Sequence, residues 1–287
     1  MILELVDVTK IYKGGKRAVD AMSLRLEPGL VGLLGPNGAG KSSLMRIAAT
    51  VTRPSSGQLL FEGVDAVARP EPLRRALGYL PQDFGVYPGL SAPEFLAYLA
   101  AAKGLSARSA KARIGELLEL VNLTEAGKRP LGKYSGGMLR RVGIAQALLA
   151  DPQVLIVDEP TAGLDPEERV RFRNLLAELA ATRIVLLSTH IVSDIESVAS
   201  DIAIVAQGRL LCRASPADLL RSVAGQVWEA LVDPAEVTEL QARHVVSRMV
   251  RVAEGIRMRI LSAGRPVTGA VKVVGDLEDA YLGVIRL

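Results

Sequence analysis

Cysteine is almost missing from this chain of 287 residues: Cys212 is the only one. No intramolecular disulfide can form, and a cysteine-based metal cluster is equally excluded. A lone cysteine of this kind reads as a small packed hydrophobe. Long hydrophobic runs are missing as well. The most apolar stretches, such as Val154 to Val157 and Ile184 to Leu187, fall far short of the roughly 18–20 residues that a membrane span needs. No basic n-region with an apolar run and cleavage site opens the sequence. Ile2-Leu3-Glu4-Leu5-Val6-Asp7-Val8 reads instead as a first strand, so a cytoplasmic location is expected. Charge of one sign has little surplus: 35 basic residues stand against 31 acidic, interspersed without a basic arm. No nucleic-acid partner is expected from that balance. Residues 222–287 hold 8 of each sign, which leaves the small basic excess in residues 1–221. There is no internal repeat and no sustained heptad pattern.

What is present centres on Gly35-Pro36-Asn37-Gly38-Ala39-Gly40-Lys41-Ser42-Ser43, which matches the phosphate-binding spacing G-x-x-x-x-G-K-[ST] at every fixed position. The apolar run Leu30 to Leu34 before it reads as a buried strand and Ser43 to Ala49 after it as a helix. Glycines let backbone N–H groups converge on phosphates, and the helix points its positive end at the same place. Lys41 would reach the β- and γ-phosphates, and the Ser42 hydroxyl is a hard oxygen ligand for Mg²⁺. Ser43 reads as helix surface at the edge of the same candidate binding set. Tyr12, just before the turn Lys13-Gly14-Gly15-Lys16, is either a half-buried strand aromatic or a flat platform for an adenine ring.

The chain reads as α/β. Residues 1–80 mix short strands and turns, including a strand over Gln58 to Glu62. Residues 91–150 carry helical patterns instead. Ser91-Ala92-Pro93-Glu94 is a capping box that opens a helix to about Lys103, stopped by Gly104. A second helix is predicted from about Ser109 to Val121, with Ile114, Leu117, Leu118 and Val121 on one face. Strands at Val154 to Val157, Ile184 to Ser188 and Ile202 to Val205 with a helix over Pro166 to Ala181 restore a βαβ rhythm with a parallel sheet. Ser215 to Asp218 caps one more helix, and Ser222 to Gln226 links to a small mixed α/β unit. There Ile256, Met258 and Ile260 alternate with Arg257 and Arg259, as in a strand with one wet face.

Asp158 and Glu159 end the buried Val154–Val157 run. A carboxylate at such a strand end beside a phosphate loop can hold Mg²⁺ through its water shell, with the next residue placed as a base. The stretch Tyr134-Ser135-Gly136-Gly137-Met138, running into Leu139 to Leu148, resembles the signature motif of ATP-binding-cassette (ABC) proteins. Physically, Ser135, Gly136 and Gly137 at a helix N-terminus form an anion-binding end, and Met138, Val142, Ala145 and Leu149 supply a packed stripe behind it. Gln82, Ala162-Gly163-Leu164-Asp165 and Ser188-Thr189-His190 fall in the family's order, so the resemblance covers residues 1 to about 215. Tyr134 stands for the commonest Leu and Met138 for Gln, a variant similar to the drug and antibiotic exporter class of ATP-binding subunits. Met138 offers no side-chain amide.

The resemblance implies a P-loop ATPase core with a β-rich N-terminal part and a mainly parallel sheet. A helical subdomain would be inserted at about 83–150 in a domain of residues 1–221, with residues 222–287 as an accessory domain. It implies ATP and Mg²⁺ held between two copies head to tail, the Gly35–Ser42 loop of one facing Ser135 to Gly137 of the other. Glu159 would polarise the attacking water, His190 contact the γ-phosphate and Tyr12 stack on adenine. Ser42, Gln82 and Asp158 would serve the metal, and Gln82 would couple the site to the helical subdomain. Multi-spanning partners on separate chains would hold the protein at the cytoplasmic face of a membrane. Phe84, Val86, Tyr87 and Leu90 are either their contact residues or loop anchors. The alternative is a soluble ABC-type ATPase of DNA repair or translation; those carry tandem cassettes or long coiled coils, and this chain has neither. A guanine-nucleotide switch is disfavoured because no [NT]-K-x-D segment occurs.

Overall fold

A computed structural model describes residues 1–161 and 163–286. Ala162, the first residue of the Ala162–Asp165 stretch, and Leu287 lie outside the described residues. The chain divides into two compact units, residues 1–200 with 205–210 and residues 201–204 with 211–287.

The first unit opens with β1 (Leu3–Ile11) and β2 (Arg17–Leu26), an antiparallel pair. Their inward residues Leu3, Leu5, Val19, Met22, Leu24 and Leu26 are buried, following the period of two except between Val19 and Met22, where the register shifts. β3 (Gly29–Leu34) runs through the core into the phosphate loop and α1 (Lys41–Ala48). β4 (Ser56–Phe61) and β5 (Val64–Asp65) complete an outer sheet of order β2-β1-β4-β5. α2 (Glu71–Ala76) leads into β6 (Leu77–Leu80), which delivers the chain to Gln82.

The expected helical insertion follows as α3 (Ala92–Ala102), α4 (Ala107–Leu120) and α5 (Gly136–Leu148). Ser91 and Glu94 form the capping box, and Gly104 at φ 79° ends the turn after α3. α4 starts two residues before the predicted Ser109, because Ser106 is its cap and accepts the Ser109 N–H at 3.2 Å. Ile114, Leu117, Leu118 and Val121 are buried as a single face.

β7 (Val154–Asp158), α6 (Pro166–Ala180), β8 (Ile184–Thr189), β9 (Asp201–Ala206) and β10 (Arg209–Ala214) return to βαβ logic. Within the first unit β3, β8, β7 and β6 lie side by side in that order and are parallel. Every residue of β7 and β8 is buried, the mark of strands covered on both faces. Such a sheet collects its functional loops at the carboxyl ends of the strands. β3, β6, β7 and β8 end there at Leu34, Leu80, Asp158 and Thr189, next to the phosphate loop, Gln82, Glu159 and His190.

In the second unit, α7 (Pro216–Ser222) is capped by Ser215. β11 (Val227–Val232), α8 (Val237–Arg243), β12 (Val245–Val252), β13 (Gly255–Leu261), β14 (Val271–Lys272) and α9 (Leu277–Arg286) follow. The sheet has order β12-β13-β11-β14 and is antiparallel. Trp228, Ala230, Val232, Met258 and Ile260 make its core. The wet face expected on β13 is only partly wet. Arg257 is exposed, but the Arg259 side chain is 11% exposed and donates from Nη2 to Asp279 Oδ2 of α9 at 2.8 Å. An acid on the covering helix gives that arginine a partner, so its stem can be buried.

Candidate nucleotide site

The phosphate loop needs its glycines for space. A Cβ on Gly35 would lie 2.2 Å from the Val205 carbonyl oxygen. Gly40 sits at φ 99°, and its Cβ would lie 2.1 Å from the Ala18 carbonyl oxygen. With Gly40 as its N-cap, α1 has no side-chain cap and no acidic residue in its first turn. The positive helix end therefore faces the cleft with no acid of its own first turn competing for it.

That cleft has a volume of about 380 Å³, within the roughly 300–1,000 Å³ range of small-molecule sites. Tyr12, the loop residues Asn37 to Ser43, Gln82 and Glu159 line it. Tyr12 is 36% exposed, its Oη lies 3.2 Å from Ser43 Oγ, and Lys10 Nζ sits 5.4 Å from its ring centroid. It is a rim residue, not the half-buried strand aromatic. Lys13 and Lys16 also line the cleft. The sequence marked them only as turn residues, although two lysines in a glycine turn beside an aromatic are a usable signal for an anionic ligand.

Lys41 is 5% exposed and donates to the Gly35 oxygen at 2.6 Å and the Pro36 oxygen at 3.1 Å. Burial pushes its ammonium below the usual lysine value, while Glu159 and Asp158 draw it back. Its Nζ is 3.8 Å from Glu159 Oε1, and His190 Nδ1 is 3.1 Å from the same oxygen. Glu159 thus sits between the phosphate-loop lysine and the histidine at the end of β8. Its backbone is left-handed at φ 47°, an uncommon conformation outside glycine. Its N–H donates to the Ser188 hydroxyl at 3.0 Å and the Ser188 carbonyl at 3.2 Å. The Ser188 hydroxyl in turn donates to Asp158 Oδ1, and Asp158 is 1% exposed. Nothing in the sequence singled out Ser188 beyond its place before His190.

Ser135 is the N-cap of α5, accepting the Met138 N–H at 3.2 Å, and is exposed together with Gly136. Gly137 approaches Gly163, whose oxygen lies 3.0 Å from the position of a Cβ. Among the described residues, Ser135, Gly136 and Gly137 do not line the cleft. The two departures from the commonest signature share one neighbour: Arg129 Nη2 lies 3.6 Å from Met138 Sδ, and its guanidinium sits 5.6 Å from the Tyr134 ring. Val142, Ala145 and Leu149 are buried as expected, and Met138 is half-buried.

A phosphate loop and a buried acidic strand end brought together on one parallel sheet define a nucleotide-hydrolysing P-loop domain. The ABC transporter family model matches residues 19–162. The chain is 33% identical to the uncharacterized ABC transporter ATP-binding protein YxlF of Bacillus subtilis, over 99% of this chain and 100% of that one. It is 38% identical to the daunorubicin resistance ATP-binding protein DrrA2 of Streptomyces coeruleorubidus, over 84% and 74% of the two chains. Its fold is similar to the solved dimeric bacterial ABC transporter cassette MJ0796. That likeness has a TM-score of 0.69 and 26% identity, covering 74% of this chain and 98% of that one. A post-hydrolysis state of the same cassette, bound to ADP and Pi, matches with a TM-score of 0.69 and 25% identity over 74% and 98%. The chain belongs to the ABC transporter family and is one of its ATP-binding, ATP-hydrolysing subunits. Among the described residues, no helix is long and apolar enough to cross a membrane.

Proposed function

We propose that this subunit drives export through multi-spanning membrane subunits on separate chains. In this reading, residues 1–221 act as the cassette, residues 222–287 as an accessory domain, and two copies or a related pair close head to tail on ATP at the cytoplasmic face. Ser135, Gly136 and Gly137 lie outside their own cleft, which supports their serving the nucleotide of the second copy. Relatives named for daunorubicin resistance support the exporter class.

The observation that carries the membrane partner is an aromatic cluster beside Gln82. Phe84 packs edge-on to Phe95 at 5.9 Å, and Tyr87 packs on Tyr98 at 5.6 Å. Both tyrosines are 54% exposed. The four candidate contact residues therefore divide. Phe84, Val86 and Leu90 are half-buried, whereas Tyr87, extended by Tyr98 of α3, offers an apolar face to a docked chain.

Mg²⁺ fits the donor set. Ser42 and Gln82 offer oxygen at the cleft, and the Asp158 carboxylate stands behind it with one oxygen engaged by Ser188. Among the described residues no three-ligand acidic or histidine cluster exists, so the ion would take its remaining ligands from phosphate oxygens and water, as Mg²⁺ commonly does. When bound it neutralises charge between the phosphates. Lys41 and the open end of α1 bind the triphosphate, and Tyr12 orients the base. Glu159 accepts a proton from the attacking water, and His190, 3.1 Å away, holds that carboxylate and meets the γ-phosphate. The chemistry is chiefly positioning and charge stabilisation.

Expression together with the neighbouring reading frames tests the proposal. The chain should be retained in isolated membranes as two copies per membrane complex, and Tyr87→Glu should release it. Recovery in the soluble fraction with ribosomes or DNA would overturn the exporter reading and leave the ATPase site standing.

A further inference from the structure

Arg140 lies in the second turn of α5, the helix whose N-terminus carries Ser135 to Gly137, and it is only 7% exposed. Among the described residues it makes no ion pair; its guanidinium is satisfied by four backbone carbonyls. Nη1 donates to the Pro81 oxygen at 2.8 Å and the Gln82 oxygen at 2.9 Å. Nε donates to the Pro160 oxygen at 3.2 Å, and Nη2 to the Asp158 oxygen. The last two acceptors are the residues immediately before and after Glu159. A single side chain of the signature helix therefore brackets the backbone of Glu159 and grips that of Gln82.

We propose that Arg140 is a positioning residue for ATP hydrolysis, setting Glu159 and Gln82 in one register with the helix that bears Ser135 to Gly137. Taking a guanidinium out of water is costly unless every donor finds an acceptor, and here the acceptors belong to two separate loops. The Ser188 hydroxyl and carbonyl hold the Glu159 N–H, but the carbonyls on either side of Glu159 are held by Arg140. Pro81 and Pro160 carry no N–H, and Glu159 leaves the strand in a left-handed conformation at φ 47°. A planar fork with five donors can span four oxygens. An ammonium presents its donors from a single point, so lysine keeps the charge and loses the bracket. Displacement of α5 by any distance is then carried to the Glu159 carboxylate and to Gln82 together.

The inference rests on Glu159 being the residue that activates water. The test compares Arg140→Lys and Arg140→Gln, each alone and combined with Glu159→Gln, by steady-state kinetics, ATP calorimetry and single-turnover rates. Alone, Arg140→Lys should lower kcat by about ten- to a hundredfold, the scale of a small misplacement of a catalytic group, with ATP affinity within about twofold of the parent. In the Glu159→Gln background the same change should produce little further loss, as for residues that act as one unit. Parental kcat in Arg140→Lys, or ATP affinity falling in step with kcat, would overturn the inference. So would an equal fractional loss in both backgrounds, which marks a general structural role. Near-normal turnover of Glu159→Gln alone is a separate outcome and removes the assignment on which the inference stands. Should Arg140→Gln fail to fold, Arg140→Lys carries the comparison.

Discussion

The Ser188 hydroxyl, with no solvent exposure, accepts the backbone N–H of Glu159 at 3.0 Å. The same hydroxyl donates to Asp158 Oδ1, so two neighbouring carboxylates share one anchor. Ser188→Ala should lower kcat about tenfold and raise the Mg²⁺ concentration needed for half-maximal rate. It should also cost about 1–3 kcal/mol of stability, the range for orphaning a buried partner. A Mg²⁺ titration of the ATPase rate checks this; an unchanged midpoint would refute the shared anchor.

Glu159→Gln should bind ATP normally and lose hydrolysis by at least about a hundredfold, since the amide fills the same space without accepting a proton, within the 10²–10⁴ range for acid–base groups. Size-exclusion chromatography with ATP should then show accumulated dimer. Near-normal turnover would remove Glu159 from the base role.

Lys41→Ala should act earlier, on binding. A charge-assisted contact of this kind contributes about 1.5–3 kcal/mol, so ATP affinity should fall about ten- to a hundredfold and no ATP-dependent dimer should form. Calorimetry decides, and unchanged affinity would contradict the loop assignment.

Tyr12→Ala should raise KM for ATP about fivefold or more with kcat little altered, because stacking on a base contributes equally to ground and transition states. Tyr12→Phe should be nearly silent, losing only the exposed 3.2 Å contact with Ser43. Equal losses in the two variants would point to the hydroxyl instead of the ring face.

Burial works against ionisation of Asp279, but bonds from Arg259, Ser247 and the Asp276 N–H hold its carboxyl below its ordinary value of 3.8. A depressed carboxylate means the unfolded chain binds more protons, so stability rises with pH. The contribution is complete above the unfolded value and is lost as pH falls through the lower folded value. Asp279→Asn, which leaves Arg259 only Glu229 and Asp276 as acidic partners, should cost about 1–3 kcal/mol at pH 7. In thermal melts the gap between parent and variant should narrow only below about pH 4, near the free carboxylate value. A gap constant from pH 7 to pH 3 would refute the linkage.

Much of the site was legible because its parts are local. Gly35 to Ser42 requires a fixed spacing, and Asp158 and Glu159 declare themselves by ending a four-residue apolar run. Ser91 and Glu94 announced α3 through a contact three residues long. What escaped depends on long-range approach. Arg140 meets Pro81 across 59 positions and Ser188 meets Asp158 across 30, and no period or spacing encodes such meetings. Lys13 and Lys16 read only as a turn because their place at the cleft depends on where β1 and β2 put that turn. Arg259 reads as solvent-facing because strand alternation says nothing of a helix arriving later with an acid.

The left-handed backbone at Glu159 sets folding against turnover at a single position. An L-residue there bears a conformational cost of about 1–2 kcal/mol that glycine would escape. Random drift would therefore find glycine at residue 159 comfortable for the fold and ruinous for the reaction. In a copy of the chain relieved of hydrolysing ATP, glycine at residue 159 would recover that cost for the fold.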